Sequence, residues 1–285
     1  MPVIASASLR LRGGSSEALE ITGIHSVAGL LGEGGGLLRQ RPFRAPHHSC
    51  SGAALIGGGA IPRPGDLVLA HRGVLFLDEL AEFRREVLDL LRQPLEEGDL
   101  WIQRARHRSH FPCRVLLVAA TNPCPCGWHG DPERSCSCTT GQRRHYWGRL
   151  SGPLLDRIDL QVQLQRPDSQ ALASGYRSTE AQPEEGSLLV RRRVGAARRR
   201  MAQRNPGGGD NASLDCAALR RLEVIDGPAL ELWERALRHR HLSARSGERL
   251  LRLALTLADL AGERRVGPAQ IAEALTYRFL AGRWE

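Results

Sequence analysis

The stretch Gly73-Val-Leu-Phe-Leu-Asp78-Glu79 constrains the fold more than any other part of the sequence. A short, continuous apolar run of large side chains belongs to a strand covered on both faces, as in a parallel sheet. Two adjacent carboxylates end it, and a buried strand has no structural use for an acidic pair at its tip. In open α/β sheets, ligands lie outside the carboxyl ends of the strands, which puts Asp78 and Glu79 at the mouth of the expected crevice. One carboxylate can hold Mg2+ on a nucleoside triphosphate while its neighbour polarises the attacking water. The plainer alternative is a strand that runs out into a polar loop.

The rest of the chain is arranged around that strand. Glu17 to Leu31 has helical character, and Arg41 to His48 is loop-like because of its prolines. His47 and His48 are adjacent and carry no ligand role in this reading. Phe83, Val87, Leu90 and Leu91 recur on one face of a helix closed by Pro94. Leu100-Trp-Ile102 and Arg114 to Ala119 read as two strands flanking a basic tip, and the second ends on Thr121 and Asn122. Strict alternation over Asp156 to Leu164 predicts one more strand, with a solvated face. A polar connection punctuated by Pro167, Gly175, Pro183 and Gly186 follows, and beyond it the pattern is helical. The predicted organisation is an α/β part over 1–166, a linker over 167–186 and an all-α part over 187–285.

Composition narrows the partners. With 41% hydrophobic and 25% charged residues the chain is globular. It has no apolar run of transmembrane length and no secretory leader pattern, so the expected compartment is the cytoplasm. A net charge of +9 points to a polyanion, nucleic acid first. The tip Arg104-Ala-Arg106-His107-Arg108 is a candidate phosphate contact; a merely solvated hairpin end is the alternative. Every one of the 40 basic Lys/Arg positions is arginine. A phosphate-binding loop of the GxxxxGK[ST] type needs its lysine, so these residues contain none.

Four of the seven cysteines are close together: Cys124, Cys126, Cys136 and Cys138. Four thiolates suffice for a closed tetrahedral Zn2+ site, and a structural zinc is expected over reduced, unligated thiols. The C-x-C spacing is less diagnostic than C-x2-C, because alternate residues tend to point apart; Pro125 and the surrounding glycines can relieve that. His129 is a possible substitute ligand. Cys50, Cys113 and Cys216 read as small core residues.

Several long motifs in one order, RPFRAPHH (41–48), ALIGGG (54–59), PRPGDLVLAHRGVLFLDEL (62–80), RQPLEEG (92–98), VAATNPCPCG (118–127) and LSGPLLDRIDL (150–160), resemble the ComM/YifB family of magnesium-chelatase-like AAA+ ATPases. HLSAR, ADLAG and ALTYR in the tail extend the resemblance to about residue 280. It implies an incomplete AAA+ P-loop NTPase-type parallel sheet followed by a small all-α lid, working as a homo-oligomeric ring, a hexamer. It also implies ATP and Mg2+ as cofactors and DNA, single-stranded or branched, as partner, with helicase action in branch migration during natural transformation. By the same resemblance, Asp78 and Glu79 match the Walker B pair and Asn122 matches sensor 1. Arg157 resembles the arginine finger, and Arg245 resembles the sensor 2 arginine. The family's Walker A segment has no counterpart here, so the chain looks like a C-terminal part, expected to bind ATP poorly and not to hydrolyse it alone. Two alternatives remain at this point: a non-enzymatic DNA- or partner-binding module, and a magnesium-chelatase-type ATPase subunit.

Overall fold

The computed structural model describes residues 16–32, 34–104, 107–164, 186–240 and 242–278. The chain divides into two units at 158/159. The 167–186 connection falls almost wholly outside the described residues.

The first unit is built on the acidic strand. Strand β1 (Phe43–Arg44), β2 (Gly57–Gly58), β3 (Arg63–Pro64), β4 (Val74–Leu77), β5 (Asp99–Arg104), β6 (His107–Pro112) and β7 (Leu116–Ala119) form three small sheets. One of these is a parallel sheet in the order β1-β4-β7, with β4 central and Leu75 and Leu77 wholly buried. The apolar run is buried because both of its faces are covered, as its composition requires. β7 is less enclosed, with Leu116 58% exposed. Helix α1 (Ser16–Val27), α2 (Gly52–Ile56) and α3 (Asp66–Leu69) precede β4, and Leu55, Leu67, Phe83, Leu88 and Leu91 pack into the same core. Gly73 leads into β4 so close to the residue just before β1 that a Cβ would lie 1.9 Å from the Pro42 carbonyl oxygen.

A buried polar clamp fixes the entrance to β4. His71 is buried, accepts the Arg114 backbone N–H at Nδ1 (3.1 Å) and therefore donates from Nε2 to Glu20 on α1 (3.0 Å). Burial holds the imidazole below its usual pKa, and the hydrogen bond from His71, followed by that from Arg72, holds Glu20 below the usual carboxylate range.

Three expectations change here. The helix after Glu79 is a 3-10 turn (Leu80–Glu82) followed by α4 (Arg85–Asp89) and α5 (Arg92–Glu97). Pro94 sits in the first turn of α5, where its missing N–H costs nothing, and Gly98 in the left-handed conformation ends it. The strand paired with Leu100–Ile102 is not Arg114–Ala119. β5 makes an antiparallel hairpin with β6, and β7 joins the other sheet. The alternating segment 156–164 is not a strand: α7 (Gly152–Leu155) ends just before it, and Leu160, Val162 and Leu164 are exposed. Alternation chooses the face a strand would bury but supplies no partner strand.

The second unit is helical, with α8 (Ser187–Arg204), α9 (Cys216–Arg221), α10 (Gly227–His239), α11 (Ala244–Ala261) and α12 (Pro268–Thr276). Leu250, Ala254, Leu255 and Ala258 of α11 pack against Ile271 and Leu275 of α12. Its centre holds a buried charge: Asp259, fully inaccessible, takes a bidentate pair from Arg204 (2.7 and 2.8 Å) and a third bond from Asn211 (2.9 Å). Among the described residues no helix is long and apolar enough to cross a membrane.

Candidate active site and cysteine cluster

The parallel register pairs Leu77 of β4 with Ala119 of β7, so Asp78-Glu79 and Thr121-Asn122 leave the sheet side by side at its carboxyl edge. Asp78, Glu79 and Asn122 are exposed there. The Glu79 backbone is left-handed (φ 52°), an uncommon conformation for a non-glycine residue, and Asp78 Oδ1 accepts the Glu79 N–H at 3.0 Å. Leu80 N–H then bonds the Ala120 carbonyl (2.8 Å), tying the two strand exits together. This bend turns the Glu79 side chain to His48, whose Nδ1 lies 3.0 Å from Oε2. His48 in turn meets the edge of Phe83 and lies against the His47 ring. Sequence reasoning missed this contact, because nothing local links residue 48 to residue 79; only the parallel pairing of β1 with β4 brings them together.

Asn122 is bracketed by helix α6 (Thr140–Trp147). The Tyr146 hydroxyl meets Thr121 Oγ1 (3.3 Å), and Trp147 Nε1 donates to the Pro123 carbonyl (2.9 Å). The helix starts where it does because Thr139 and Gln142 form a reciprocal capping box. Arg149 fastens the other side, donating to the Ala81 carbonyl and to Glu82, both at 2.9 Å.

The loop between Asn122 and α6 carries the four cysteines. All four sulfurs lie within 4.8 Å of one another, with close approaches of 3.4 Å (Cys124–Cys126), 3.6 Å (Cys126–Cys136) and 3.7 Å (Cys124–Cys136). A tetrahedron with zinc–sulfur bonds near 2.3 Å has edges of about 3.8 Å, so the donor set matches a closed four-thiolate site in type, number and spacing. Gly127 and Gly130, both in the left-handed region, make the turns that bring the two C-x-C pairs together. The Trp128 N–H, ahead of the Ser137 N–H, pulls the Cys126 thiol down to about 5. At Cys138 the Cys126 backbone favours the thiolate, but withdrawal from water and the sulfurs of Cys126 and Cys124 outweigh it and push the group up to about 12. His129 is exposed and stands outside the cluster. Of the other thiols, Cys113 is buried, while Cys50 and Cys216 are half-buried.

The remaining candidates are placed differently. Arg157 donates to Glu96 and to the Pro153 carbonyl within its own unit. Arg245 is exposed in the first turn of α11, whose N-terminus Ser243 caps. In the hairpin, His107 and Arg108 are exposed, and the Arg108 guanidinium lies 4.2 Å from the Trp101 ring centroid. The Arg104 side chain and all of Arg106 lie outside the described residues.

Two family models match: magnesium chelatase, subunit ChlI, over residues 8–172, and the C-terminal part of that subunit over 184–278. An uncharacterized protein of Mycobacterium tuberculosis is 46% identical over 94% of this chain and 52% of its own length. The uncharacterized YifB of Escherichia coli K12 is 44% identical over 84% of the chain and 46% of its own length. The competence protein ComM of Haemophilus influenzae is also 44% identical, over 84% of the chain and 45% of its own length. The chain therefore spans about half the length of the curated relatives it matches.

Proposed function

The chain belongs to the magnesium-chelatase-like AAA+ ATPases, the family that includes ComM and YifB, and on that premise we propose that it carries the water-activating half of an ATP site in a DNA motor. The observation that supports the reading is the parallel register of β4 and β7, from which Asp78-Glu79 and Thr121-Asn122 leave the sheet at the same carboxyl edge. Asp78 would hold Mg2+ on the triphosphate; the bound Mg–ATP supplies the electrophilic γ-phosphoryl group and part of the charge neutralisation. Glu79 takes up the proton of the attacking water, and the Asn122 side-chain amide orients that water. His48 holds the Glu79 carboxylate in one direction before it acts.

The grip on the phosphates is the part these residues do not supply, since a P-loop lysine has no counterpart among them. By themselves they bind ATP weakly and do not turn it over. The complete motor is a hexameric ring that acts as a helicase in branch migration on DNA during natural transformation, a reading supported by the competence role named for one relative. Arg157 serves as arginine finger toward a neighbour only after leaving Glu96, and Arg245 as the sensor 2 arginine of the helical unit. A structural zinc on Cys124, Cys126, Cys136 and Cys138 fixes the loop that leaves Asn122.

The test is a chimera in which residues 16–278 replace the matching half of Escherichia coli YifB. Magnesium-dependent ATP turnover that disappears in Glu79→Gln while nucleotide binding persists supports the assignment. Turnover indifferent to Glu79→Gln and Asn122→Ala refutes it. A P-loop-free binding module, by contrast, would bind DNA with no hydrolysis even in the chimera.

A further inference from the structure

The β5–β6 hairpin has two unlike faces. Leu100, Ile102 and Phe111 are buried on one. The other carries Trp101, directly opposite His110 in the register, and Arg108 two pairs along, opposite Gln103. Trp101 is 53% exposed, its ring centroid 4.5 Å from that of His110 and 4.2 Å from the Arg108 guanidinium carbon. His110 is in turn paired with Asp99 at 3.3 Å. One exposed indole alone would mean little. Here it is held by a cation and an imidazole on a six-pair antiparallel ladder, in a chain of net charge +9.

We propose that Trp101 is a base-stacking residue for single-stranded nucleic acid, with Arg108 reaching the adjacent phosphate. An indole offers a flat surface to any base, so the contact is sequence-tolerant, and a neighbouring arginine adds charge and stacking. Unpaired nucleotides are the fitting ligand because bases in a duplex have their faces occupied. The inference rests on the proposed action on DNA but assigns a different contact from the phosphate contacts expected of Arg104, Arg106 and Arg108: it stacks on bases, and it comes from a β5 side chain.

The experiment measures binding of the full chain to a fluorescent 20-nucleotide dT strand and to an abasic strand of equal charge. Trp101→Ala is expected to weaken dT binding by roughly tenfold or more and to leave abasic binding unchanged, whereas Trp101→Phe retains most of the affinity. Arg108→Ala is expected to weaken both. Equal dT affinity for Trp101→Ala and the unsubstituted chain overturns the proposal, as does equal loss on both strands. If Trp101→Ala changes sedimentation and not DNA affinity, the face belongs to a subunit contact and the proposal fails. If the unsubstituted chain binds neither strand, the DNA reading itself fails, an outcome separate from a failure at Trp101.

Discussion

Removing the guanidinium from the helical unit should cost far more than removing any surface arginine. Asp259 is inaccessible to water and makes three charge-assisted or amide hydrogen bonds, two of them to Arg204. In Arg204→Met the carboxylate keeps Asn211 but loses its counter-charge, and Asn211 loses the Arg204 bond to its Oδ1. Leaving one partner of a buried ion pair behind costs about 3–5 kcal/mol. An exposed pair such as Arg85–Asp89 is worth about 0–1 kcal/mol. Hydrogen exchange in α11 reads the difference within this unit alone. Amides of its buried stretch should exchange on the order of a hundredfold to a thousandfold faster in Arg204→Met. The double variant Arg204→Met, Asp259→Leu should recover most of the protection, because replacing both ions with apolar groups removes the stranded charge. Protection in Arg204→Met within a factor of about five of the unsubstituted chain, equivalent to about 1 kcal/mol, would refute the reasoning.

Stability should also fall on acidification. His71 is held below its usual pKa of 6.5, so the unfolded chain takes up the proton first and stability is lost as pH falls below about 6.5. Glu20, held below 4.5, adds a loss of the same sign at lower pH. Thermal scans from pH 7.5 to 5.5 should show a falling midpoint that is flatter in His71→Asn; a midpoint independent of pH would contradict the clamp. Gly73→Ala should destabilise the first unit by about 3 kcal/mol in urea titration, since its Cβ would overlap the Pro42 carbonyl oxygen. Elemental analysis of protein purified without chelator should find one zinc per chain, lost in Cys136→Ser; zinc content unchanged by that substitution would remove Cys136 from the ligand set.

How much of this was legible in the sequence depended on whether a signal was local. The buried strand and its acidic tip could be read directly, because a continuous apolar run that stops abruptly on Asp-Glu suits a strand leaving a covered sheet at its carboxyl edge. The clustering of four cysteines was legible too, although C-x-C spacing argued against convergence; two left-handed glycines resolve that. The division of the hairpin was not. His107-Arg-Ser-His-Phe-Pro112 has a polar face and little β propensity, and it is a strand because β5 offers six residues to pair with. Trp101 reads from sequence as a strand residue, and only the register puts His110 and Arg108 beside it. The His48–Glu79 contact likewise had no local signal.

The central claim is a catalytic half-site without its phosphate grip, and ATP turnover by the purified chain tests it most directly. The assay is run with and without single-stranded DNA, beside Glu79→Gln. The account predicts no magnesium-dependent turnover above background in either protein. Turnover that is present in the unsubstituted chain and absent in Glu79→Gln would contradict it, because these residues would then hold the triphosphate without a P-loop lysine.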